Sequence, residues 1–111
     1  MATIANLYID AGTDFSTNIS VSTNGVTALN LTGYTVKSQM RKSYKSSQMF
    51  EFTASIYDAI QGKIKLEMTD TQTSSIPAGR WLYDIEINSP DNKKSRVVEG
   101  IITVTPQITQ S

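Results

Sequence analysis

A chain of 111 residues with 39% hydrophobic and 18% charged residues has enough apolar surface to bury one core and too little length for two. Cysteine and histidine are absent, which excludes disulfides, thiolate nucleophiles, imidazole bases and nearly all zinc, copper or non-haem iron sites. Ten Lys and Arg balance ten Asp and Glu, so no long-range field favours nucleic acid or an anionic membrane, and near-neutral charge leaves copies free to assemble with one another.

Residues 4–9 read as a short N-terminal strand, and residues 1–10 have neither a basic start nor the roughly 18 apolar residues that a membrane span requires. From residue 14 to 22 the chain alternates strictly, Phe15, Thr17, Ile19 and Val21 against Asp14, Ser16, Asn18, Ser20 and Ser22, which predicts a half-buried strand. Asn24-Gly25 then predicts a turn. Alternation returns over residues 34–41, with Tyr34, Val36, Ser38 and Met40 inward and Thr35, Lys37, Gln39 and Arg41 outward. Residues 43–48 read as a polar loop, followed by a short strand in which Phe50 and Phe52 flank Glu51.

A turn over residues 58–62 leads to a strand over 63–69, with Ile64, Leu66 and Met68 inward and Lys63, Lys65 and Glu67 outward. Small polar residues then replace the period-2 pattern, and Asp70 is placed to cap a brief helical crossover before Pro77 and Gly79. Over residues 80–88, Trp81, Tyr83, Ile85 and Ile87 share one face, which makes Trp81 and Tyr83 the expected anchors of the core. Ser89-Pro90-Asp91-Asn92 is a turn, residues 95–105 form a long Val/Ile-rich strand expected at a central position, and residues 106–111 form a tail. About seven antiparallel strands in a single domain predict an all-β, immunoglobulin-like two-sheet sandwich, with a small barrel of the OB type as the alternative.

Three groups of polar residues invite a chemical reading. Asp10 and Asp14 around Gly12 lack the dense oxygen set of a calcium loop and are expected to serve a turn. Asp84 and Glu86 share a strand face, as a glycosidase pair would, but alternation alone puts them there, and pairing with a neighbouring Lys or Arg is the expected role. Lys37, Arg41, Lys42 and Lys45 with Tyr44 are the only local basic excess, read as a solvated face rather than a single-strand binding surface. The sequons at Asn18 and Asn30 carry no weight without a secretion signal. No catalytic residue, cofactor or metal is therefore expected, and the chain is read as not an enzyme.

Four blocks carry a resemblance: Ile9-Asp10-Ala11-Gly12-Thr13-Asp14-Phe15, Leu31-Thr32-Gly33-Tyr34, Pro77-Ala78-Gly79-Arg80-Trp81-Leu82-Tyr83-Asp84-Ile85-Glu86, and Arg96-Val97-Val98-Glu99-Gly100-Ile101-Ile102-Thr103-Val104-Thr105-Pro106. In this order they resemble the small immunoglobulin-like virion proteins of tailed bacteriophages, especially myophages of cyanobacteria, and the N-terminal modules of phage baseplate proteins. The resemblance implies a virion location and an accessory structural role, bound to a capsid (decoration) or to a tail or baseplate, with other virion proteins as partners. A carbohydrate-binding or adhesion module using Tyr44 and Tyr57 is the alternative, and a small hydrolase using carboxylates is the third reading.

Overall fold

The computed structural model describes residues 3–22, 27–43 and 45–106. The Asn24-Gly25 turn, Tyr44 and residues 107–111 of the expected tail lie outside the described residues, although Ser22 and Ala28, on either side of that turn, form an antiparallel bridge. The strands are β1 (Thr3–Ile4), β2 (Leu7–Asp10), β3 (Phe15–Ser20), β4 (Thr35–Arg41), β5 (Met49–Glu51), β6 (Thr53–Asp58), β7 (Lys63–Met68), β8 (Gly79–Asn88) and β9 (Lys94–Thr105), with one short helix, α1 (Asp70–Ser74), between β7 and β8. They build two sheets. The larger runs β1-β9-β8-β4-β5 with β2 also on β9, and the smaller runs β3-β7-β6.

The inward side chains of both sheets meet in one core of Ile9, Met40, Phe52, Ile64, Leu66, Trp81, Tyr83, Ile85, Ile102 and their neighbours, all buried. This is an immunoglobulin-like sandwich. Trp81 is 1% exposed; its Nε1 donates to the Pro77 carbonyl at 3.0 Å, and the Phe50 ring meets it edge-on at 5.4 Å. Packing the indole while satisfying its N–H is what allows so large an amphipathic ring to be buried. The long strand β9 is central, as expected, with β8 on one side and β1 and β2 on the other.

Three expectations need correction. The strands are not all antiparallel: β1 and β2 run parallel to β9, pairing Thr3 with Val98 and Leu7 with Ile102. The expected short strand at Phe50–Phe52 is two strands in different sheets. Met40 pairs with Phe50 in the larger sheet, the Phe52 N–H donates to the Ser38 carbonyl at 3.0 Å, and Thr53 already pairs with Glu67 in the smaller. The chain thus changes sheets at Phe52. Finally, Thr69 and not Asp70 caps α1, because the Thr69 hydroxyl accepts from the Gln72 N–H while the Gln72 side chain accepts from the Thr69 N–H, a reciprocal capping box.

Helix α1 also fastens the turn between β2 and β3. The hydroxyl of fully buried Thr73 accepts from the Gly12 N–H at 3.1 Å and donates to the Thr13 carbonyl at 2.7 Å. Gly12 has φ of 83°, a left-handed conformation that glycine adopts without penalty.

Candidate functional site

A concavity of about 670 Å³ lies on the outer face of the larger sheet. Strand register arranges its side chains in rows that cross the sheet. One row runs Met49–Arg41–Leu82–Ile101. The next runs Glu51–Gln39–Asp84–Glu99–Ile4, and a third Lys37–Glu86–Arg96. Ile4 is 73% exposed, and Met49 and Ile101 are also exposed, so the face carries apolar groups at its centre and rim among paired charges.

Those charges are cross-linked. Arg96 bridges Asp84 at 3.2 Å and Glu99 at 3.3 Å, and Lys37 meets Glu51 at 3.8 Å. The Arg41 guanidinium donates to the Ser46 carbonyl at 2.8 Å and to the Gln39 side chain at 3.2 Å. Partial burial pushes the Asp84 carboxyl above its ordinary range, neighbouring Glu86 adds to the rise, and Arg96 opposes it. Asp84 thus has the Arg partner expected from the sequence. Such a face, with several of its ionic groups engaged by one another and apolar side chains between them, suits contact with a protein surface better than capture of a free ion.

Lys37, Arg41, Asp84 and Glu86 thus share the concave face, and the other residues singled out in the sequence are dispersed. The Asp10 carboxylate accepts from the Thr105 hydroxyl at 2.6 Å, and the Asp14 carboxylate accepts from the Asp70 N–H at 2.8 Å, so each carboxylate secures a different element around the turn. Lys42 is drawn away from Lys37 and Arg41, its ammonium 5.2 Å from the Trp81 ring centre. Tyr57 is exposed on β6. The Asn30 side chain accepts from both the Thr32 N–H and the Thr32 hydroxyl, closing a local turn. Among the described residues no group of three or more acidic side chains is placed to hold a metal ion, and no helix is long and apolar enough to cross a membrane.

One constellation was not visible in the sequence. The backbone of the N-terminal strand dips between β1 and β2, so that a Cβ added to Gly100 would lie 2.2 Å from the Ala5 carbonyl oxygen. The Tyr83 hydroxyl donates to that same oxygen at 2.5 Å, and the Asn6 side chain accepts from the Ile101 N–H at 3.0 Å. Burial pushes the Tyr83 hydroxyl up to about 12, which keeps it a donor. Three residues on β8 and β9 therefore clasp the strand that borders the concave face.

No protein-family model matches the chain, and no curated protein matches it. Among solved structures, an internalin-like protein of Listeria monocytogenes is similar over 94% of this chain, with a TM-score of 0.50 and 16% identity. The likeness is one of fold. This chain spans only 28% of that protein's length. The major subunit of aggregative adherence fimbriae type I from Escherichia coli is similar over 90% of this chain and 89% of its own, with a TM-score of 0.40 and 11% identity.

Proposed function

We propose that the chain is a non-catalytic accessory component of a tailed-phage particle, attached through the concave outer face of its larger sheet to a larger capsid or tail protein. The observation that carries the attachment is the row Met49–Arg41–Leu82–Ile101, which lays apolar side chains on three of the four strands it crosses, beside the ion pairs that Arg96 makes with Asp84 and Glu99. A face of this kind gains by covering its apolar groups, and Asp84, Arg96 and Glu99 enter the contact as charges already paired with one another. The phage setting rests on the four-block resemblance. Those blocks fall on the β2–β3 turn, the turn before β4, strand β8 and strand β9, and the last two build this face.

Quantitative mass spectrometry of particles purified from the phage that carries the gene tests the setting. The chain is expected at a fixed stoichiometry, matching the shell lattice for a decoration protein or a low multiple of three or six for a tail component. Absence from intact particles rejects the reading. Leu82→Lys and Ile101→Glu, both on the outer face, are expected to lower incorporation at least tenfold while leaving the fold intact.

A further inference from the structure

The two sheets end differently on one side of the sandwich. The larger ends in β1 and β2, the smaller in β3, and a groove of about 390 Å³ opens between them, lined by Leu7, Tyr8, Asp10, Asp14, Phe15 and Thr17 among others. Strand β3 pairs with β7 over six consecutive residues without a bulge. In the continuation of that register the Val21 N–H donates to the Gly62 carbonyl at 2.8 Å, so the odd-numbered residues of β3 bond to β7. The N–H and C=O groups of Ser16, Asn18 and Ser20 consequently point into the open side. Among the described residues nothing meets them.

Exposed edges are normally blunted by charge, proline, irregularity or shortness. Strand β5 has three residues, β6 carries an irregularity between Ile56 and Asp58, and the β1–β2 edge is interrupted at Ala5 and Asn6. Strand β3, Phe-Ser-Thr-Asn-Ile-Ser, has none of these guards. Its inward residues Phe15, Thr17 and Ile19 are half-buried, whereas Ile64, Leu66 and Met68, opposite them on β7, are buried. The smaller sheet thus stops one strand before its core is covered.

We propose that this groove is a docking site for one extended segment of another polypeptide, which pairs with β3 and completes the smaller sheet. The segment bonds through its backbone to Ser16, Asn18 and Ser20 and lays alternate apolar side chains over Leu7, Phe15 and Thr17. The lining holds two carboxylates, Asp10 and Asp14, and no Lys or Arg, so the segment is uncharged or basic and lacks acidic residues. Because β2 walls the other side, the space beside β3 admits a single strand and not the sheet of a second copy. The proposal does not depend on the phage setting or on the concave face, and particle composition does not bear on it.

The test uses the whole chain and three eight-residue peptides: alternating valine and threonine with a lysine at each end, the same with glutamates at the ends, and the lysine form with a central proline. Amide exchange is followed residue by residue. The lysine peptide is expected to slow the Ser16, Asn18 and Ser20 amides at least tenfold and to leave β5 and β6 unchanged. The glutamate form should bind at least tenfold more weakly, and the proline form not at all. Asn18→Pro, which removes an outward-facing N–H from an edge strand, should abolish the protection. Thr17→Arg, which keeps the backbone donors but puts a cation on the groove floor, should weaken it at least tenfold. Unchanged exchange at the three amides with the lysine peptide, protection at another edge, or equal effects of the lysine and glutamate forms would overturn the proposal.

Discussion

The two lateral sides of the sandwich are closed by different means. On one side the chain itself passes from the larger sheet to the smaller at Phe52, whose ring sits 6.3 Å from Tyr83 and 5.9 Å from Phe15. On the other side only the turn joining β2 to β3 links the sheets, held at its tip by Thr73, and the groove opens below it. A covalent crossing brings a side chain into the core and consumes the backbone groups at the boundary. A turn at one end leaves both edges exposed along their length.

Truncation on the closed side should cost most. Phe52→Ala removes a ring that is only 4% exposed from a site that cannot collapse, and is expected to lower stability by about 3 to 5 kcal/mol in urea unfolding. Thr73→Val keeps the shape of the residue but strands the Gly12 N–H and the Thr13 carbonyl, with an expected loss of about 1 to 3 kcal/mol. Phe15→Ala, on the open side, forfeits the transfer energy of a half-buried ring with no sealed cavity left behind, about 1 to 1.5 kcal/mol. Since the two rings touch, the double variant Phe15→Ala with Phe52→Ala should cost less than the sum, and equal costs for the two single variants would erase the distinction between the sides.

The smallest effect concerns protons on the concave face. Burial raises the Asp84 carboxyl in the folded protein, so the fold holds that proton more readily than the unfolded chain does. Its contribution to stability is therefore present below the ordinary carboxylate range and is lost as pH rises through the folded value. Carbon-detected NMR titration should find Asp84 above the ordinary range, and Arg96→Met, which deletes the opposing cation, should raise it further.

Much of this was legible in the residues, and the failures over strand pairing share a cause. Alternation located β3, β4, β7 and β8, and placed Trp81, Tyr83, Ile85 and Ile87 in the core, because burial on one face of a strand leaves a period of two, while β9 was legible from its Val and Ile content. That period continues unbroken from Phe50 through Phe52 and Ala54 to Ile56, so nothing local marks the change of sheets. It is equally silent about the direction of a partner strand, and the parallel pairing of β2 with β9 went unseen. The Thr69–Gln72 spacing does signal the cap, one residue before Asp70. The outward parity of Lys37, Arg41, Asp84 and Glu86 was readable, but their assembly into rows required the register of five strands. The Gly100–Ala5 contact, 95 residues apart, had no sequence signal at all.

The parallel run of β2 beside β9 has a mechanical consequence. The described chain starts at one end of that pair and finishes at the other, with Thr3 beside Val98 and Asp10 beside Thr105. Tension applied at Thr3 and Pro106 slides the two strands lengthwise, so their ladder bonds share the load and yield together instead of opening one after another. The clasp at Ala5 adds to the resistance, since the dip over Gly100 must be lifted out before the strand can slip. A domain strung by its two ends would hold force along this seam first.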